Sequence, residues 1–269
     1  MKFAISVEFL GNGFCGFQSQ KNNTAVQDYL NMAISKLLNE NTKSVGAGRT
    51  DAGVNAVSMV AHFETDRSDL TENNVANGVN FWLNKLSAKC VVTAVKIVPD
   101  DFHARFSCNK RWYQYRILQR PAPPVLDSNK VAWFKNKIDF STIQSSSKMF
   151  VGEHNFNSFR SSQCQAKSPV RTIDNIIVFQ PNSDLIYINI IASSFLHNQI
   201  RHIVGALTDI ASQKKSDRDI QLMLDNPHGI KNMTLAPASG LFFMEALYES
   251  LDFFIDDNVQ SQRMKLLNL

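Results

Sequence analysis

Apolar residues fall at every second position near the start of the chain and then at helical spacing. The alternating stretch covers residues 3–9 and is typical of a half-buried strand. Residues 24–38 carry a single apolar stripe with a period of three to four and predict a helix. Thr24 and Gln27 have the spacing of a capping box, so we expect the helix to begin there.

The same order of patterns occurs twice along the chain. After the first helix come a glycine-rich segment and then a predicted strand, helix and strand, at residues 57–63, 70–83 and 91–98. The second half predicts a strand, a helix, two strands, two helices and a strand, at residues 111–118, 140–151, 173–179, 185–191, 195–210, 219–224 and 242–248. Each half closely follows the order of a ferredoxin-like, or RRM-like, domain.

These elements predict an α+β fold built from two similar halves. We place the first half, with the glycine-rich segment, at residues 1–107 and the second at residues 108–249. Joined along their sheets, the halves would form a long antiparallel sheet with a central cleft. Residues 250–269 mix acids and apolar residues without clear periodicity, and we expect a short helix or a loose tail there.

One carboxylate, Asp51, stands in the glycine-rich segment between Gly48 and Gly53. Glycines at this density permit positive φ angles and a close approach of the backbone to a ligand. An aspartate in such a segment can be a catalytic acid, base or nucleophile. It can also be a turn residue that accepts backbone hydrogen bonds. Asp51 considered alone leaves both interpretations open.

The basic residues are grouped, although the formal net charge of +4 is too small to indicate a nucleic-acid partner by itself. Residues 102–120 contain five Lys or Arg and no acid, and residues 154–173 add Arg160, Lys167 and Arg171, again with no acid. Such tracts suit a surface that binds a polyanion, because a neighbouring carboxylate would cancel the attraction for phosphate. A solvated basic face is the alternative.

Strand alternation assigns side chains to faces in two of these segments. In residues 102–106, read as a strand, His103 and Arg105 share one face, and Phe102 and Phe106 share the other. On the following predicted strand, Arg111, Tyr113 and Tyr115 share a face. An arginine beside two phenols could bind phosphate and stack a base, although both tyrosines could equally be core aromatics with solvated hydroxyls.

Neither a metal site nor a membrane segment is indicated. The four cysteines lie far apart and form no C-x-x-C pair, so we predict free thiols, no metal and no disulfide. The N-terminus alternates like a strand and carries an acid early, unlike a signal peptide. No apolar run approaches the roughly 18 residues of a membrane span. We expect a cytoplasmic protein.

Several segments together resemble the TruA-type tRNA pseudouridine synthases, and the resemblance covers nearly the whole chain. They are Phe14-Cys-Gly-Phe-Gln-Ser-Gln20, Gly46-Ala-Gly-Arg-Thr-Asp-Ala-Gly-Val54, Val60-Ala-His-Phe63, Phe102-His-Ala-Arg-Phe-Ser107, Arg111-x-Tyr-x-Tyr115, Phe195-Leu-His-x-x-Ile-Arg201 and Ala236-Pro-Ala-Ser-Gly-Leu241. Three residues depart from the family pattern: Leu10 replaces an acid, Asn55 a histidine and Gln199 a methionine.

The resemblance implies an isomerase that converts uridine to pseudouridine at positions 38, 39 and 40 in the anticodon stem-loop of tRNA. It further implies a pseudouridine synthase fold, no cofactor and a homodimer. By match to the family motifs, Asp51 is the catalytic carboxylate and Arg201 its ion-pair partner, with a solvent-facing helix residue as the alternative for Arg201. Tyr113 matches the tyrosine that stacks on the uracil and is a candidate base for the C5 proton.

The remaining site residues concern substrate binding. In the family, the arginine that matches Arg49 helps to extrude and replace the target nucleotide. Leu241 matches the apolar residue that closes the pocket floor, although an ordinary core position is the alternative. We add four residues of the basic tract as substrate-binding candidates: His103, Arg105, Lys110 and Arg111.

The order of bond-making steps is open. An aspartate can attack the ribose anomeric carbon, attack the uracil ring, or remove a ribose proton to give a glycal. Two rival functions are disfavoured. A non-catalytic RRM-type RNA binder would have the aromatic RNP1 pattern, which is lacking. A glycoside hydrolase usually needs two carboxylates, whereas Asp100 and Asp101 look like loop acids.

Overall fold

The computed structural model describes residues 1–21, 24–226, 234–249 and 251–253. The tail predicted over residues 250–269 therefore lies outside the described residues, apart from 251–253. The chain forms two compact units. The first comprises Met1–Asn109 together with the segment that starts at Phe242, and the second comprises Lys110–Leu241.

The first unit is a sheet with two helices. Its elements are β1 (Lys2–Phe9), α1 (Val26–Leu38), β2 (Val45–Gly46), β3 (Asn55–Glu64), α2 (Glu72–Lys85), β4 (Cys90–Val98) and, from the end of the chain, β10 (Leu241–Leu247). The strand order is β4-β1-β3-β10, with β2 also on β3. Strands β1, β2, β3 and β4 pair antiparallel, whereas β10 runs parallel to β3. The predicted α+β class is confirmed.

Helix α1 forms where the apolar stripe predicted it, but its first turn differs from the prediction. The helix starts after Ala25, and the Asp28 carboxylate accepts a hydrogen bond from the Ala25 N–H at 2.9 Å. The capping box assigned to Thr24 and Gln27 is wrong. Gln27 instead links two loops, because its side chain accepts from Ser19 N–H and donates to the Ser44 carbonyl.

The second unit is also a sheet with helices. Its elements are β5 (Lys110–Gln119), β6 (Ala132–Phe134), α3 (Phe140–Ser146), β7 (Gly152–Asn155), β8 (Val170–Asn182), β9 (Leu185–Ala192), α4 (Gln199–Ala211) and α5 (Asp217–Asp225). The order β5-β9-β8-β7 is antiparallel throughout, and β6 adds to β5 in parallel. Helix α4 begins at Gln199 rather than at residue 195, so residues 195–198 form a loop.

Strand β10 decides where the last segment of the chain packs. The predicted division placed residues 242–248 in the second half, whereas in the structure they pack in the first unit. The physical reason is the pairing of β10 with β3, in which Phe242 and Phe243 lie opposite Asn55 and Ala56. The division into residues 1–107 and 108–249 stays a prediction about domain organisation.

Candidate active site

Asp51 opens a tight turn at the start of β3. Its carbonyl accepts a hydrogen bond from Val54 N–H at 3.1 Å, and Gly53 has a φ of 79°. A positive φ at the third residue of a turn is the reason for a glycine there, as in a type II turn. The Asp51 side chain is half-buried and the neighbouring Arg49 is exposed. The turn interpretation of the backbone thus holds without excluding a chemical role for the carboxylate.

The segment before α1 clamps the backbone of this turn. Phe17 N–H donates to the Thr50 carbonyl at 3.3 Å, and Gly16, with a φ of 114°, lies directly against the same oxygen. A Cβ built on Gly16 would be 2.3 Å from the Thr50 oxygen, and one on Gly46 would be 2.3 Å from the Phe17 ring. Two glycines and one buried phenylalanine therefore place Asp51 within narrow limits.

The residue before Asp51 holds an unusual polar group that motif matching did not single out. Thr50 is 8% exposed, and its hydroxyl has no hydrogen-bond partner among the described residues. A buried donor left without a partner costs about 1–3 kcal/mol. No signal in the sequence could have revealed it, because the burial of Thr50 depends on contacts that are remote along the chain.

Residues 102–106 form a turn rather than a strand, so the predicted shared face of His103 and Arg105 is wrong. The His103 ring accepts hydrogen bonds through Nδ1 from the N–H groups of Arg105 and Phe106, at 3.1 and 3.3 Å. His103 is thereby used to shape the turn, while Arg105 is exposed. Ala104 N–H donates to Nδ1 of His62, a residue in the Val60-Ala-His-Phe63 segment, at 3.1 Å.

His62 gives the first unit a pH-dependent stability. Burial, with the nearby His103 and Lys2, lowers the pKa of His62 to about 4. The unfolded chain takes up this proton near pH 6.5 but the folded protein only near 4, so stability falls as the pH falls between these values. We expect His62→Gln to flatten this dependence by up to about 1.4 kcal/mol per pH unit.

The measurement is chemical denaturation of both proteins between pH 7 and 4.5. The difference in slope between wild type and His62→Gln is the informative quantity, since burial also lowers the pKa of His202 and adds a slope of the same sign to both proteins. Identical slopes would contradict the assignment.

In the second unit, the strand that carries Tyr113 and Tyr115 is buried on both faces. Tyr115 is fully buried, its hydroxyl donates to the Pro237 carbonyl at 2.8 Å, and burial raises the pKa of the phenol well above its usual value. Tyr115 is therefore a core aromatic, but its hydroxyl is bonded to the protein and not solvated as the alternative expected. Tyr113 is 8% exposed and packs edge-on against Phe195, with ring centroids 5.2 Å apart.

Arg201 lies in the first turn of α4, where its side chain connects the loop before the helix with the segment that begins at Ala236. Its Nε donates to the Ala236 carbonyl at 2.8 Å and its Nη1 to Oδ1 of Asn198 at 3.1 Å. The Ala236 N–H in turn donates to the Arg201 carbonyl. Gly205 permits this arrangement, because a Cβ there would be 1.7 Å from the Thr234 oxygen. Arg201 is half-buried and two of its guanidinium nitrogens hold neighbouring loops, and its pairing with Asp51 stays a prediction beside the solvent-facing alternative.

The basic tracts contain several cations that already have partners. Lys110 forms an ion pair with Asp174 at 3.4 Å, and Arg111 donates to the Ser193 carbonyl at 2.5 Å. Other arginines donate to loop carbonyls: Arg120, Arg160 and Arg171. Arg120, Arg160 and Arg171 keep their positive charge, and their side chains hold the backbone next to them.

The three residues that depart from the family pattern (Leu10, Asn55 and Gln199) and the pocket candidate Leu241 lie in different environments. Leu10 is 40% exposed, whereas Asn55 is buried and accepts from Gly11 N–H at 2.9 Å. Gln199 is fully buried and accepts from Leu196 N–H at 2.8 Å, which orders the loop that carries Phe195. Leu241 is buried at the start of β10.

Two other kinds of feature, a metal-ligand cluster and a membrane-spanning helix, are both missing from the described part of the chain. Within the described ranges, no group of three or more His, Cys, Asp or Glu side chains could hold a metal ion. No helix in the described part of the chain is both long and apolar enough to cross a membrane.

Comparisons with known proteins agree on one family. The family model described as tRNA pseudouridine synthase matches residues 5–107 and 147–249. Proteins named tRNA pseudouridine synthase A from Mesorhizobium japonicum and Wolbachia pipientis are each 37% identical over 92% of this chain, and 99% and 100% of theirs. The same-named protein from Methylobacillus flagellatus is 40% identical over 80% of both chains.

Among solved structures, a crystal structure of an archaeal box H/ACA sRNP Nop10–Cbf5 complex is more distant. It aligns with a TM-score of 0.32 and 11% identity over 77% of this chain and 42% of that one. A likeness of this size supports no further conclusion.

Proposed function

The chain belongs to the tRNA pseudouridine synthase family, whose members isomerise uridine to pseudouridine, and we propose that it acts at positions 38, 39 and 40 in the anticodon stem-loop of tRNA. The family match over both halves of the chain carries this proposal. The enzyme would act in the cytoplasm, as a homodimer and without a cofactor.

Asp51 is the catalytic carboxylate in this proposal. At neutral pH an ordinary aspartate, with a pKa of about 3.9, is ionised and ready to act as a nucleophile or a base. The clamp formed by Gly16 and Phe17 supports the role, because a reacting group must be held close to its productive position. The uracil would leave the ribose through nitrogen, rotate while bound, and reattach through carbon.

Arg201 and Tyr113 complete the proposed chemistry. A carboxylate that becomes buried beside an RNA base loses several kcal/mol of hydration, and a guanidinium is the partner that best compensates for this loss. Arg201 is suited to be the ion-pair partner of this carboxylate, because hydrogen bonds to Ala236 and Asn198 set the position of its own side chain. Tyr113, supported edge-on by Phe195, would stack on the uracil and accept the C5 proton.

Substrate binding would rest on charge and on shape. Extruding a nucleotide from a stem costs a few kcal/mol, and one aromatic stack returns roughly 1–3 kcal/mol. Contacts from Arg49, Arg105, Lys110 and Arg111 would supply the remainder, and Leu241 would close the pocket floor. His103 would act indirectly, since its ring holds the turn that carries Arg105.

Mapping of pseudouridine in unmodified tRNA treated with the purified protein tests the proposal. Product at positions 38, 39 and 40, absent when those uridines are replaced by cytidine, is the expected result. Product elsewhere in the tRNA would keep the family activity and reject the proposed positions. Binding without any product would favour the non-catalytic RNA-binding alternative.

Tyr113→Phe tests the role of the hydroxyl. The variant keeps the ring and its contact with Phe195, so we expect unchanged tRNA affinity and a rate of product formation reduced by about 100-fold, a typical contribution of one acid–base group. Single-turnover kinetics measure this rate. Tyr187→Phe is a matched control, since it removes a phenol from β9 in the same unit. A wild-type rate for Tyr113→Phe would show that its hydroxyl takes no part.

A further inference from the structure

The Thr50 hydroxyl has no use in the chemistry described above. It is sealed from solvent and has no hydrogen-bond partner among the described residues, although it precedes Asp51 directly. A buried hydroxyl of this kind weakens a folded protein, whereas a valine of the same shape would not. A threonine that lowers stability beside the proposed catalytic carboxylate requires an explanation outside folding.

The backbone of Thr50 is held on one side, and the proposed movement needs only its side chain. Its carbonyl accepts from Phe17 N–H and lies against Gly16, which fixes the position of the residue. Rotation about χ1 moves the hydroxyl among three staggered positions without a backbone change. A hydroxyl can reach the carboxylate of the following residue, as Ser183 does with Asp184 in this protein, at 3.1 Å.

We propose that Thr50 is a positioning residue whose hydroxyl donates a hydrogen bond to the Asp51 carboxylate as the bound RNA passes through the transition state. The inference rests on the proposed catalytic role of Asp51. A hydrogen bond that reaches its full strength only in the transition state accelerates the chemical step and leaves substrate affinity nearly unchanged. The free enzyme bears the cost of the unpartnered group, and the reacting complex gains the bond.

Thr50→Val and Thr50→Ser separate this role from a structural one. We expect Thr50→Val to lower kcat by about 10- to 100-fold, the loss of one hydrogen bond to a charged group, with KM within about twofold. Its melting temperature should equal or exceed that of wild type, because no bond is lost in the free protein. Thr50→Ser retains the hydroxyl and should keep most of kcat.

Each other outcome overturns the inference. A kcat of Thr50→Val within about twofold of wild type would show an idle hydroxyl, and a clearly lower melting temperature would show that the hydroxyl is bonded in the free protein. A Thr50→Ser as slow as Thr50→Val would point to the methyl group instead. Pseudouridine formed by wild type in the same assay keeps the proposed function in all three cases. If wild type forms none, both proposals fail.

Discussion

The Asp51→Asn protein is expected to form no detectable pseudouridine, with turnover reduced by more than about 1,000-fold, while its tRNA affinity stays within several-fold of wild type. An amide has the size of the carboxylate, so the turn closed by Val54 N–H and Gly53 should persist. It lacks the negative charge needed to attack carbon or to accept a proton. Removal of one negative charge should, if anything, strengthen binding to phosphate.

Single-turnover product formation and filter binding measure the two quantities separately. Asp101→Asn is a matched control, because it removes the same charge from an exposed loop of the same unit. Its turnover should stay within about twofold of wild type. Substantial activity of Asp51→Asn in an assay where Asp101→Asn behaves normally would reject Asp51 as the catalytic carboxylate.

Gly16→Ala should damage both folding and turnover. The new Cβ would be 2.3 Å from the Thr50 carbonyl oxygen, at a residue whose φ is 114°. The oxygen cannot retreat freely, because it is bonded to Phe17 N–H and lies one residue from Asp51. Overpacking of about 1–3 kcal/mol and backbone strain of about 1–2 kcal/mol should together lower the free energy of unfolding by about 2–5 kcal/mol. A displacement of Asp51 by about 1 Å should reduce kcat by about 100-fold.

Gly13→Ala separates the backbone strain of an alanine at positive φ from the steric overlap of its Cβ with a neighbouring atom. Gly13 also has a positive φ, of 100°, but its Cβ would lie 3.9 Å from the nearest atom, Lys89 Nζ. Only the strain of about 1–2 kcal/mol should appear in denaturation curves, with kcat near that of wild type. If the two alanine variants have equal kcat, the clamp does not position Asp51.

Local patterns predicted the elements well where one side of the element is buried. The stripe in α1 is an example, since its buried residues are Val26, Leu30, Ala33, Ile34 and Leu38. The start of that helix was misplaced because Thr24 is not its N-cap; the Asp28 carboxylate instead accepts a hydrogen bond from the Ala25 N–H, one residue further along. Residues 102–106 were misread because their alternation mimics a strand, whereas His103 closes a turn with two hydrogen bonds.

The sequence by itself determined the order of the longer helices and strands, the α+β class, the family and the carboxylate to test, because periodicity and motifs are properties of neighbouring residues; the short strands β2, β6 and β7 were not predicted. Only the tertiary structure decided that Tyr115 is a core residue, that His62 receives the Ala104 N–H, and that the Thr50 hydroxyl is buried without a partner. The physical reason is distance along the chain. Tyr115 meets Pro237 across 122 residues and Ala104 meets His62 across 42, and burial arises from such contacts.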